Sequence, residues 1–239
     1  GLAIGIEGQG WPTRTHGYGR LPEDAEANVR PEVWSLGQHS AGLCIRFATD
    51  ATSISVTWKV GSDRLAMPHM PATGVSGIDL YVRRSDGWRW LATGQPQQTT
   101  NTVTLIKQLD PLLREYTLYL PLYNRVDTIE VGVPSGSVMK ALTRSDDRKL
   151  PIVCWGTSIT QGACASRPGL AYPAWIGRKL NYPTVNLGFS GNGKLEPELA
   201  KLIAEIPAAV YVLDCFANLQ AEEIAERLPQ AVDVLRSRN

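Results

Sequence analysis

The hydrophobic pattern changes its period near residue 150, and that change limits what the chain can fold into more than any other feature. Before it, short runs rich in β-branched and aromatic residues occur at 43–47, 53–60, 78–82, 88–92, 102–106, 116–120 and 128–133. Several alternate apolar with polar, as in Ser53-Ile54-Ser55-Val56-Thr57-Trp58, which marks a strand with one buried face. Many short strands separated by turn residues predict a β-sandwich, jelly-roll-like, over residues 1–146. The first forty residues, rich in Gly and Pro, read as irregular cover.

Past the charged stretch Arg144-Ser145-Asp146-Asp147-Arg148-Lys149 the pattern becomes strand then helix, repeated. Compact apolar runs at 152–155, 184–187 and 209–213 suit buried parallel strands. Helical patterns at 171–180, 197–204 and 221–235 follow them, with Pro197 in a first turn, where its missing N–H would be unpaired anyway. The alternation predicts a doubly wound α/β domain over 147–239, with its site at the carboxyl ends of the strands.

Charge excludes some partners. With 24 Lys and Arg against 23 Asp and Glu, no strong field steers the chain to nucleic acid or an anionic membrane. No apolar stretch approaches the roughly 20 residues that span a bilayer. The apolar start, Gly1 to Ile6, lacks a basic lead and a cleavage site and reads as mature chain. Compartment is left open, with a lean toward secreted or periplasmic. Cys44, Cys154, Cys164 and Cys215 form no C-x-x-C pair, so neither a zinc site nor a redox motif is expected, and Cys154 and Cys215 read as small buried hydrophobes.

Chemistry-bearing residues gather where the three α/β strands end. The first strand opens into Gly156-Thr157-Ser158-Ile159-Thr160, a candidate nucleophile right after a buried strand; Thr160 stands where the G-x-S-x-G elbow has its second glycine. After the second come Gly188, Gly191, Gly193 and Lys194. Gly188, Gly193 and Lys194 fit the G-x-x-x-x-G-K frame of a phosphate loop, but Leu195 occupies the place of the magnesium-binding hydroxyl. The third run leads to Asn218. Oxyanion binding is favoured over phosphate binding, with a helix-opening turn that binds nothing between them.

Taken in order, these blocks resemble the SGNH, or GDSL-type, hydrolases. Gly156 to Thr160, Asn186 to Gly191, and Asp214 to Asn218 correspond to the first three of that family's four blocks. Gly77-Ile78-Asp79-Leu80-Tyr81 is similar to the G-x-D-L-Y motif of a β-domain that precedes a subgroup of these enzymes. The resemblance implies a flavodoxin-like hydrolase domain, Ser158 as nucleophile, and an oxyanion hole of the Ser158 and Gly191 N–H groups and the Asn218 amide. It implies no metal or organic cofactor. Its substrate class is an acyl ester, acetyl above all, on a carbohydrate or other small alcohol. Ala217 and Leu219 around Asn218 depart from the usual G-x-N-D.

The family's base is a histidine near the C-terminus, three residues after an aspartate, and no histidine follows His69 here. The expectation is therefore that the sequence stops inside the hydrolase domain. His16, His39 and His69 read as ordinary histidines. A rival reading is a non-catalytic carbohydrate-binding or interaction module, for which Trp58, Trp88 and Trp90 would have to present an exposed face. Core packing is favoured for Trp88 and Trp90, and Asp79 and Tyr81 read as structural, joining the two domains. Glu196, Glu198, Glu222, Glu223 and Glu226 read as solvated helix faces.

Overall fold

The computed structural model describes residues 5–145, 147 and 149–238. In chain order the first part contains β1 (Ile6–Glu7), α1 (Pro31–Gly37), β2 (Cys44–Thr49), β3 (Ile54–Val60), α2 (Ala72–Val75), β4 (Ile78–Arg84), β5 (Gly87–Gly94), β6 (Thr100–Ile106), β7 (Arg114–Tyr119), β8 (Val126–Gly132) and β9 (Met139–Ala141). The second contains β10 (Ile152–Gly156), α3 (Ser158–Gln161), α4 (Tyr172–Leu180), β11 (Thr184–Gly188), α5 (Pro197–Ile203), β12 (Val210–Asp214) and α6 (Ala221–Arg236).

All seven strands expected before residue 150 form, within two residues of their sequence limits. They build two antiparallel sheets, β1-β2-β7-β4-β5 with β9 added to β2, and β6-β3-β8. Ile54, Val56, Trp58 and Val60 of β3 point inward and meet Phe47, Ile78, Leu80, Tyr116 and Leu118 of the facing sheet. Each such side chain contributes roughly 1.5–3 kcal/mol by leaving water. Strand β2 is buried at every position, because the larger sheet has the sandwich core on one face and the α/β part on the other.

The reading of the first forty residues as irregular cover is corrected in two places. Pro31 opens helix α1, its ring at the position where no N–H is needed. Ile6–Glu7 pair with β2. A two-residue strand carries no periodicity to read.

The α/β strands are parallel in the order β11-β10-β12. Central β10 is buried throughout, whereas β12 is the exposed edge, with Val210 51% accessible. Register puts Gly156 level with both Gly188 and Asp214, so all three strands deliver their following loops at one height.

The two parts are joined by the residues of the G-x-D-L-Y motif. Asp79 is fully buried. One carboxylate oxygen accepts from the Gly169 N–H at 3.0 Å and lies 3.3 Å from Arg167 Nε. The other accepts from Trp90 Nε1 and Thr93 Oγ1, each at 3.0 Å. Four partners offset the cost of burying a carboxylate. Gly169 is seated so tightly that an added Cβ would come within 2.3 Å of the Tyr81 ring, and the Arg178 guanidinium lies over that ring at 3.9 Å.

Candidate active site

Ser158 begins α3, directly after the extended Thr157 that follows β10. At Gly156 a Cβ would meet Thr160 Oγ1 at 1.9 Å, so the helix folds back directly onto the strand end. Thr157 is extended, and its hydroxyl caps the helix by accepting from the Ile159 N–H at 3.3 Å. Ser158 is half-buried beside the exposed Ile159. Thr160, which breaks the G-x-S-x-G frame, anchors the helix from below: its hydroxyl donates to Asp214 Oδ2 at 2.8 Å and pairs with the Tyr172 hydroxyl at 3.1 Å. Asn186 Nδ2 donates to the Thr160 carbonyl at 2.8 Å, and the Tyr123 hydroxyl donates to the Ser158 carbonyl at 3.4 Å.

The loop after β11 has nearly all its amides spoken for. The Gly188 N–H donates to Asn186 Oδ1, that of Phe189 to the Gly156 carbonyl, and that of Ser190 to Gln161 Oε1. Those of Asn192 and Gly193 donate to the Phe189 carbonyl, and that of Lys194 to Glu196 Oε2. Among the described residues the Gly191 N–H is the one in this run without an acceptor, and the Ser158 N–H has none either. A phosphate loop presents several free amides in a cradle; this loop presents one. Leu195, buried to 1%, packs in the core where that motif would hold a hydroxyl.

Gly191 adopts φ +69° with open space where a Cβ would stand. Glycine adopts that left-handed conformation without strain. Arg30 braces the loop from outside, donating to Asn192 Oδ1 at 2.8 Å, the Asn192 carbonyl at 3.1 Å and Glu196 Oε1 at 2.9 Å.

Asn218 closes a single 3-10 turn, Phe216–Asn218, after β12. With its side-chain oxygen toward the loop, it accepts from the Gly193 and Asn192 N–H groups, each at 3.2 Å, which leaves its NH2 as the outward donor. Gly193 itself lies against the first strand end, where a Cβ would be 2.1 Å from the Gly156 carbonyl and 3.2 Å from the Thr157 nitrogen. The structure thus brings Ser158, Gly191 and Asn218 into one cluster of strand ends.

No histidine or carboxylate is hydrogen-bonded to the Ser158 hydroxyl among the described residues. His16 is exposed, 3.6 Å from Glu23, and His69 is also exposed. His39 pairs through Nδ1 with Gln161 Nε2 at 3.1 Å. Because that amide donates, Nδ1 accepts and the ring proton sits on Nε2. Burial, with the nearby Arg20 charge, lowers the His39 pKa to about 4, so the ring is neutral at pH 7.

Of Trp58, Trp88 and Trp90, only Trp90 is exposed. Trp58 is fully buried and donates to the Ser76 carbonyl at 3.1 Å. Trp88 is partly buried against Cys44, Tyr81, Tyr119 and Ala174. Trp90, 52% exposed, has its N–H on Asp79 and its ring beneath Arg167. Trp88 and Trp90 serve the contact between the two parts. Of the four cysteines, all free, Cys154 and Cys215 are buried and their thiol pKa values are pushed up to about 12. Among the described residues no group of three His, Cys, Asp or Glu is placed to hold a metal ion, and no helix is long and apolar enough to cross a membrane.

A sandwich whose G-x-D-L-Y aspartate grips a parallel α/β sheet, with a serine and spare amide donors at the strand ends, defines the class of two-part SGNH-type ester hydrolases. The family model for the GxDLY N-terminus of SGNH-hydrolase-type esterases matches residues 2–139, and that of the GDSL-like lipase/acylhydrolase family matches residues 149–239. The chain belongs to this GxDLY, GDSL-like esterase family. It is 35% identical to a candidate GDSL-like lipase from Bacteroides ovatus, over 99% of this chain and 69% of that one, with a TM-score of 0.91. It has the fold of the salicylyl-acyltransferase SsfX3 from a tetracycline biosynthetic pathway, at 20% identity, 99% and 67% coverage and a TM-score of 0.77. It also shares a fold with a family two carbohydrate esterase from Clostridium thermocellum, solved with cellohexaose, at 16% identity, 83% and 68% coverage and a TM-score of 0.59. Among curated protein sequences none matches.

Proposed function

We propose that Ser158 is the nucleophile of an acyl-ester hydrolase and that the Ser158 and Gly191 N–H groups, with the Asn218 NH2, receive the oxyanion. The observation that carries this reading is the pair of unpaired amides at adjoining strand ends, in a loop whose other amides are all bonded. Ser158 Oγ would attack the ester carbonyl while its proton leaves to a base. The carbonyl oxygen takes the negative charge, which the fixed donors stabilise without reorganising. Collapse of this intermediate expels the alcohol, which takes a proton, and water then cleaves the acyl-serine by the same steps.

The substrate we propose is an acyl, above all acetyl, ester of a carbohydrate or other small alcohol. The carbohydrate esterase among the structures of like fold supports it by analogy. We read residues 1–146 as a jelly-roll-like domain and 147–239 as a flavodoxin-like hydrolase domain. No imidazole is bonded to Ser158, so turnover by these 239 residues is expected to be slow. A serine hydrolase that has lost a triad member still keeps roughly 10³–10⁴-fold catalysis over water. The test is hydrolysis of p-nitrophenyl acetate by the chain and by Ser158→Ala. Turnover above background that disappears in the variant supports the reading; turnover equal in both removes it and leaves a non-catalytic module.

A further inference from the structure

Strand β11 is an edge strand, paired only with β10. In a parallel strand alternate residues present their peptide groups to opposite sides. The Phe189 N–H faces β10, bonding the Gly156 carbonyl, so the carbonyls of Asn186 and Gly188 face outward. An edge this deeply buried has no water to satisfy it. Arg20 does so instead: one guanidinium nitrogen donates to the Asn186 carbonyl at 2.9 Å and to the Gly188 carbonyl at 2.8 Å. The other nitrogens donate to the His39 carbonyl at 2.9 Å and the Leu36 carbonyl at 2.6 Å. The side chain substitutes for a neighbouring strand at the point where β11 gives way to its loop.

Arg20 is 1% exposed, and no carboxylate lies within ion-pair distance of it among the described residues. Buried arginines normally pair with an acid; this one is held by carbonyl dipoles and the Phe189 ring, 5.2 Å from the guanidinium carbon. A hydrophobic side chain would fill the volume but leave two strand-end carbonyls unpaired. Lysine carries the charge but lacks the planar fork that reaches four acceptors.

We propose that Arg20 is a positioning residue: by fixing the Asn186 and Gly188 carbonyls it sets the path of the 189–193 loop and thereby the direction of the Gly191 N–H. This rests on the esterase reading for its catalytic consequence and on geometry alone for the loop. Its unneutralised charge, bonded to the Gly188 carbonyl three residues before Gly191, also favours a negative group arriving there over a neutral one.

The test uses Arg20→Gln and Arg20→Lys in the 239-residue chain, with Leu235→Ala, a core change in α6, as a stability control. Amide hydrogen exchange is read at residues 188–193 and in the sandwich, and p-nitrophenyl acetate kinetics alongside. The expected result for Arg20→Gln is faster exchange confined to the loop and kcat lowered about 100-fold, the scale of an ångström-level misplacement, with KM little changed. Guanidinium added to Arg20→Gln should restore part of the rate, and Arg20→Lys should fall between. Loop exchange and kcat unchanged in a folded variant would overturn the proposal, as would an equal kcat loss in Leu235→Ala. If Arg20→Gln does not fold, Arg20→Lys decides on the same readouts. Wild-type turnover independent of Ser158 would remove the esterase reading, and loop exchange would still decide the role of Arg20.

Discussion

With its amide oriented oxygen toward the loop, Asn218, in the turn that follows β12, accepts the Gly193 N–H of the loop after β11 at 3.2 Å. One short amide therefore ties the second and third strand ends together and points its NH2 away from that bond. Asn218→Asp separates the two roles, because a carboxylate keeps the acceptor but supplies no donor and repels an oxyanion. We expect Asn218→Asp to retain the wild-type melting temperature within a few degrees and to lose roughly 10²–10³ in kcat, the usual result of losing one oxyanion donor. Equal rates for Asn218→Asp and wild type would show that the NH2 is not part of the hole.

The loop glycines are of two kinds, and alanine distinguishes them. At Gly191 the space is open and only φ +69° opposes a side chain, so Gly191→Ala should cost about 1–2 kcal/mol. At Gly188 a Cβ would come within 2.1 Å of the Gln161 nitrogen and 2.6 Å of the Thr160 carbonyl carbon. Backbone cannot yield there, and Gly188→Ala should be destabilised by more than 3 kcal/mol or fail to fold. Urea denaturation of both variants checks the order; similar losses would mean that α3 is less firmly seated on β11 than its contacts indicate.

The joint between the two parts has its own prediction. Removing the Asp79 carboxylate strands the Trp90 and Gly169 donors and frees Arg167. Asp79→Ala should lose about 3 kcal/mol, and Asp79→Asn less, since it still offers one acceptor. Limited proteolysis should cut the 163–170 segment faster in Asp79→Ala. A melting temperature equal to wild type would show that the motif's aspartate does not hold the parts together.

Most of this architecture is legible in the sequence because hydrophobic period reports which face is buried, and the strand-end motifs are contiguous. What escaped was long-range. Arg20 and Arg30 act across 166 and 162 residues of sequence and Asn186 across 26, and no local pattern marks an arginine that satisfies carbonyls. The bridging of Thr160 to Asp214 was invisible for the same reason, although Thr160 was conspicuous as a departure from G-x-S-x-G. Trp88 and Trp90 share a face as their spacing required, but period two cannot tell a sandwich core from a contact with a second sheet.

His39 gives a pH dependence whose sign follows from its environment. Burial, and then the Arg20 charge, lower its pKa to about 4, against about 6.5 in an unfolded chain. The native state therefore binds fewer protons than the unfolded state between those values, and stability falls as pH drops through that window. Above pH 6.5 the contribution is fully present; below pH 4 both states are protonated and the loss is complete. A shift of this size corresponds to about 3 kcal/mol at most, and partial exposure of the ring reduces the expectation to about 1–2 kcal/mol. Charging the ring also turns Nδ1 into a donor facing the Gln161 NH2, so Gln161 must rotate and release the Ser190 N–H. His39→Gln should show a shallower loss of stability from pH 6.5 to 4 than wild type in urea titrations, and parallel curves would show that His39 titrates normally in the folded chain.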